Sequence, residues 1–276
     1  MEWLNFIIEP FSYPFMQRAI IVAMTTGFVC AILSCFLVLK GWSLMGDAIS
    51  HAVLPGIVIA YLVGLPLIIG AFASGFLCSM ATGYIKNNCR VKEDTVMGIV
   101  YSGMFAFGLV LFSKVDTEQH LNHILFGSVL GTTHSELIQI VIIAILVSLV
   151  ILIKRKDLLL FCFDPVQASV IGLPVKLLHY GLLTFLSLTI VASLQAVGII
   201  LVIAMLIAPG IIAFVLSKQF ERMLIIAVVV AMLSSVGGTL ISYHFSASTS
   251  ACIVLIQAAI FILAQSYRLI MNYQAR

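Results

Sequence analysis

Asp47 and His51 stand four residues apart in Gly41-Trp42-Ser43-Leu44-Met45-Gly46-Asp47-Ala48-Ile49-Ser50-His51-Ala52-Val53-Leu54-Pro55, a stretch that runs on into the apolar Gly56 to Val63. On a helix that spacing puts carboxylate and imidazole on one face, one turn apart. Every other Asp or Glu can be assigned to a tail, a loop or a segment boundary, whereas Asp47 falls inside an apolar segment. A carboxylate at bilayer depth costs about 2.5–3.5 kcal/mol on insertion scales, so such a group usually faces a partner or a polar pathway. Pro55 has no N–H, which denies the His51 carbonyl its usual helical donor. Carboxylate, imidazole and a freed carbonyl together suit a borderline divalent cation. Two other readings fit the same residues: a proton relay without metal, and a hydrogen-bonded strut between helices.

The elements that position this pair must lie in a membrane. Hydrophobic residues make up 62% of the 276, charged residues 9%, and the mean hydropathy is +1.21. Those values exclude an ordinary soluble domain. Nine apolar segments can be read, at about residues 18–39, 43–64, 66–85, 95–113, 136–153, 178–196, 197–216, 222–243 and 250–268. The expected fold is therefore all-α: one polytopic membrane domain over 1–276, with eight to nine transmembrane helices. Residues 1–17, rich in aromatic side chains, read as an interfacial lead-in. No cleavable signal peptide is expected, because Glu2 and Glu9 stand where a basic region would be. Cys30, Cys35, Cys78 and Cys252 fall in apolar segments and Cys89 and Cys162 in loops, with no C-x-x-C spacing. No disulfide framework is expected from them.

The basic residues orient the chain. With the loops at 40–42, 86–94, 154–177 and 217–222 and the C-terminus in the cytoplasm, twelve of the fourteen Lys and Arg are inside; only Arg18 and Lys114 are outside. The N-terminus is then external. If the second helix starts near Gly41, Asp47 and His51 lie roughly 10 and 16 Å along it, near the midplane of a ~30 Å core. The net charge of +3 points to no nucleic-acid partner. Two stripes of small residues, Ala71, Gly75, Ser79 and Gly83, then Ser234, Gly238 and Ser242, read as helix contacts rather than pore lining.

The loop at 154–177 contains a complete short helix. Asp164 serves as N-cap, Pro165 as the first helical residue and Gly172 as the residue past the end, and Pro174 blocks continuation. Val166, Val170 and Ile171 share a face, with Phe163 and Leu173 at its ends. An apolar face outside the bilayer needs a surface to bury it: a docking partner, the membrane or the chain itself. His120 and His123, near Asp116 and Glu118, and His244 at an external helix end are low-grade candidates for a cation entry site. His134 beside Ser135-Glu136 looks like helix-start chemistry, and His179 like an interfacial residue. The chain has no Gly-x-x-x-x-Gly-Lys-Ser/Thr loop, no His-Glu-x-x-His and no Gly-x-Ser-x-Gly. Neither nucleotide hydrolysis nor peptide hydrolysis is expected of it.

The Ser43–Gly56 run, Phe126-Gly127-Ser128, Phe163-Asp164-Pro165 with Gly172-Leu173-Pro174, and Ala208-Pro209-Gly210 occur in an order shared with one family. The chain resembles the membrane permease subunit of bacterial ABC importers for manganese, zinc and iron, and looks closest to the iron/manganese branch. The resemblance implies a second permease chain, identical or paralogous, two ATP-hydrolysing subunits and an extracytoplasmic metal-binding protein, in the bacterial inner membrane. It implies that Asp47 and His51 form the metal site, that Asp164–Ile171 couples to the ATPase, and that the cations are cargo rather than resident cofactors. Phe245-Ser246-Ala247-Ser248-Thr249-Ser250 departs from the family, which often carries an acidic residue there; no carboxylate is expected from that loop. The reading is a permease moving Mn²⁺ or Fe²⁺ inward, with Zn²⁺ also admitted by the ligand types. A stand-alone metal/proton transporter is the main rival, and an intramembrane metalloenzyme the second.

Overall fold

The computed structural model describes residues 9–42, 44–91, 93–114 and 129–274, and every regular element within them is helical. In order these are α1 (Pro14–Lys40), α2 (Met45–Ala52), α3 (Leu54–Val63), α4 (Leu67–Asn88), α5 (Glu93–Phe112) and α6 (His134–Ile153). Then come α7 (Arg155–Phe163), α8 (Pro165–Val170), α9 (Val175–Val197), α10 (Ile199–Leu216), α11 (Phe220–Phe245) and α12 (Thr249–Gln274). Among the described residues nine helical stretches are long and apolar enough to cross a membrane, with α2 and α3 counting as one, Met45–Val63. Helices suit that setting because each satisfies its own backbone where no water reaches.

α1 is the central post, packed along α10 and α11, while α12 closes against both. On the other side α3 lies against α4 and α5, and α4 against α9. One continuous core joins them through residues such as Leu33, Phe36, Ile49, Leu186 and Met205. Between membrane helices apolar burial gives little drive, so close backbone approach has to supply the packing. Gly56 and Gly70 show it: a Cβ on either would overlap the carbonyl of the other. Both small-residue stripes do the same. Gly75 faces Ile49 and Val53, Ser79 Oγ lies 3.1 Å from Ser187 Oγ, and Gly238 faces Ile253.

Three boundaries differ from the expectation. α1 starts at Pro14 rather than residue 18, with Pro at the first helical position, where its missing N–H is harmless. α2 starts at Met45 rather than Gly41. Gly41, at φ +75°, closes α1 in a left-handed turn in which the Trp42 N–H bonds the Leu37 carbonyl at 2.8 Å. Gly41 and Trp42 are taken up by that reversal. The loop at 154–177 also holds a helix that was not foreseen, α7. Its Leu158, Phe161 and Cys162 are buried, Lys154 pairs with Asp157 at 3.4 Å, and Arg155 reaches Glu221 at 3.2 Å.

Candidate metal centre

α2 is held from behind so that its polar face looks outward. Gly46 brings it onto Leu206 of α10, and Ile49 and Val53 fill the space beside Gly75 of α4. What remains on the opposite face is Asp47 and His51, with His51 Nε2 3.4 Å from Asp47 Oδ1. At 3.4 Å the contact is longer than a good hydrogen bond, so neither group is saturated by the other. Nδ1 of the imidazole makes no hydrogen bond among the described residues. The two side chains are 35% and 34% exposed, which places the pair on the wall of the single chain and not in its core. Both belong to the same helix, so their mutual contact does not itself join two elements.

Asp47 is the third residue of α2, where the helix N-terminus favours an anion. Because α2 begins at Met45, Asp47 and His51 stand about 3 and 9 Å along the helix rather than 10 and 16 Å. Asp47 is therefore nearer the Met45 end of the span than its midpoint at Leu54, while His51, three residues from Leu54, stays close to that midpoint. The carbonyl story is also adjusted. Pro55 does remove a donor, but the Val53 N–H, bonded to the Ile49 carbonyl at 3.2 Å, is directed to the His51 carbonyl as well. The adjoining Ala52 carbonyl accepts from Ser74 Oγ at 2.6 Å. The bend is thus satisfied from within the chain, and the His51 carbonyl is a weaker ligand candidate than the two side chains.

Two residues of the site escaped the sequence reading. Tyr101 and Phe105, one turn apart on α5, flank the imidazole: the Phe105 ring meets it edge-on at 5.2 Å, and Tyr101 lies stacked at 6.3 Å. They hold the ring plane while leaving its nitrogens available. An aromatic pair at i, i+4 was the visible signal, but nothing in the sequence ties it to His51.

The remaining candidates separate. His120 and His123, with Asp116, Glu118 and Phe126-Gly127-Ser128, lie outside the described residues, as does Ser43. His244 ends α11 with its ring 5.1 Å from Tyr243, far in sequence from the pair. His134 opens α6 behind Thr133, which shares a reciprocal capping box with Glu136. His179 packs among Trp42, Phe161 and Tyr180. No group of three or more His, Cys, Asp or Glu side chains able to hold a metal occurs among the described residues. Among its described residues one copy of the chain brings two strong donors to a cation and no more.

The short helix expected within the loop at 154–177 forms. Asp164 Oδ1 accepts from the Val166 and Gln167 N–H groups at 3.0 and 2.9 Å. Gly172, at φ +84°, ends α8 with the Leu173 N–H on the Ala168 carbonyl at 3.0 Å and its own N–H on Ser169 at 3.1 Å. Ala168 faces inward, while Val166 (74%), Val170 (75%) and Ile171 (57%) are left bare.

Residues 12–268 match the model of the ABC 3 transport family. The chain is 67% identical to the chelated iron transport system membrane protein YfeD of Yersinia pestis, over 95% of this chain and 89% of that one. It is 53% identical to the manganese transport system membrane protein MntB of Synechocystis sp., over 94% and 85%. Among solved structures, a chain of PsaBC from Streptococcus pneumoniae in complex with Fab superposes with TM-score 0.85 at 36% identity, covering 98% of this chain and 99% of that chain. An inward-facing putative metal-chelate type ABC transporter shares the fold alone, at TM-score 0.72 and 17% identity. With nine helical stretches among the described residues long and apolar enough to cross a membrane and a family match over nearly its whole length, this chain is a multi-pass membrane protein of the ABC 3 transport family.

Proposed function

We propose that the chain is the permease subunit of an ATP-driven importer for Mn²⁺ or Fe²⁺ in the bacterial inner membrane. The observation that carries this reading is the outward-facing Asp47–His51 pair. A charged group at bilayer depth needs a partner. The pair's own mutual contact is loose, and the single chain adds no third donor among its described residues. Two copies, identical or paralogous, that meet through this face bring two carboxylates and two imidazoles together. That donor set suits a borderline dication and binds it without the full cage that would trap it. The names of the relatives favour iron and manganese; zinc rests on ligand type alone.

The driving force belongs to a separate ATP-binding subunit, docked on the bare face of α8, and the cation arrives from an extracytoplasmic binding protein. The distribution of Lys and Arg supports an external N-terminus and a cytoplasmic C-terminus.

Uptake of radiolabelled manganese or iron tests the site. Asp47→Asn keeps shape and hydrogen bonding but removes the charge that offsets desolvation of a dication; His51→Ala removes the nitrogen. Each is expected to abolish uptake at unchanged membrane abundance. Near-normal uptake by both variants sinks the metal-site reading. A shift in pH dependence with metal binding retained turns it into a proton relay. Retention of an ATP-binding subunit on purification separates the importer from a stand-alone secondary transporter.

A further inference from the structure

α5 runs beside the Asp47–His51 pair as an apolar wall. From Thr95 to Phe112 it carries no charged, amide or imidazole side chain. Met97, Tyr101, Phe105 and Gly108 follow one another at helical spacing along a single face. Met97 is buried, Tyr101 stacks on the His51 ring at 6.3 Å, and Phe105 meets it edge-on at 5.2 Å. At Gly108 the wall closes onto α3, for a Cβ there would press into Pro55. Ser102, beside Tyr101, donates its hydroxyl back to the Ile99 carbonyl at 3.2 Å. Among the described residues of this face, the Tyr101 hydroxyl is the only side-chain group able to bond water. Two donors from one copy, or four from two copies, leave a six-coordinate cation still holding water.

We propose that Phe105, with Tyr101 beside it, is a specificity-determining residue that keeps Mg²⁺ out of the pathway. The inference rests on the reading of Asp47 and His51 as the cation site. Mg²⁺ gives up its water reluctantly and asks for near-octahedral oxygen ligands. The waters it retains are polarised donors, and each needs an acceptor in the next layer. On the α5 side they would meet ring edges and alkyl groups, and a donor shut away from any acceptor is costly. Mn²⁺ and Fe²⁺ release water more readily and take imidazole nitrogen in its place, so fewer donors are left to satisfy. Phe105 thereby has two separable properties. Its bulk holds the imidazole plane, which another apolar side chain could share, whereas its lack of a polar atom serves selectivity.

The test is uptake of radiolabelled Mn²⁺ by cells carrying the assembled transporter, with Mg²⁺ as the competitor and expression confirmed for every variant. Phe105→Asn places an acceptor in the wall. It should lower the ratio of the half-inhibiting Mg²⁺ concentration to the Mn²⁺ KM roughly tenfold, the worth of about one hydrogen bond to a bound water. Phe105→Leu, apolar but without a ring, should keep the parent's ratio. If Phe105→Asn fails to reach the membrane, Phe105→Gln, nearer to Phe in volume, carries the same expectation. A parent-like ratio in the polar variant overturns the proposal. So does an equal fall in the Leu and Asn variants, which would leave Phe105 only its role of holding the ring. Near-normal uptake by both Asp47→Asn and His51→Ala removes the cation site itself. Unaltered Mg²⁺ exclusion by Phe105→Asn, with those two variants inactive, removes the selectivity wall alone.

Discussion

Ser34 shows how a single hydroxyl can hold a broken helix together. Pro209 lies inside α10 and supplies no N–H, and Gly210 beside it lets α1 come close enough for contact. Ser34 Oγ accepts from the Gly210 N–H at 2.9 Å and donates toward the Ile207 carbonyl at 3.3 Å. Ser34→Ala removes the acceptor that α1 offers to the Gly210 N–H, a loss of about 1 kcal/mol. The variant is expected to melt earlier than the parent in detergent while Asp47 and His51 keep their place; an unchanged melting temperature would show that the bridge contributes nothing. Cys162 carries a second expectation at this scale. The sequence placed it in an accessible loop, but it is buried in α7, and burial pushes its thiol up to about 12 against the pull of the Lys40 ammonium. Its reactive thiolate is populated only as the pH climbs towards that value, so maleimide near neutral pH should label the exposed Cys89 and spare Cys162. Equal labelling of the two would refute the burial.

α8 is the element whose chemistry is most self-contained. Asp164, Pro165, Gly172 and Pro174 are cap and stop signals that act within a few residues, so both ends of the helix were legible in the sequence. The start of α2 was not, because the turn at Gly41 ends one helix and delays the next, and apolar residues continue across both. α7 escaped for a related reason: its short apolar face is recognisable only once the surface of α1 that covers it is known. The Asp47–His51 spacing could be read from the sequence, but not its outward aspect, nor Tyr101 and Phe105, which reach His51 through tertiary packing. The bare face of α8 gives the prediction proper to this scale. Val170→Asp would set a charge in an apolar contact, at a penalty of several kcal/mol unless it is paired. Insertion should be unaffected while the ATP-binding subunit is recovered in much smaller yield. Recovery and uptake equal to the parent's would remove α8 from the docking surface.

At the scale of the whole molecule, the positions of Lys and Arg, with nine candidate spans among the described residues, predict termini at opposite faces. Membrane-impermeant maleimide should therefore miss Cys89 in intact cells and reach it after permeabilisation, and labelling from outside would reverse the assigned orientation. Within the bundle, the Gly56–Gly70 contact joins α3 to α4 with no side chain between them, so the two are expected to move as one body. The outward aspect of Asp47 and His51 has a further meaning for the life of the protein in the cell. In a single copy the carboxylate and the imidazole are about one-third exposed, an exposure that the proposed pairing through this face would remove. If the proposed pairing holds, a copy without its counterpart is expected to be lost from the membrane faster than a paired one, and a pulse-chase that finds equal lifetimes would refute this.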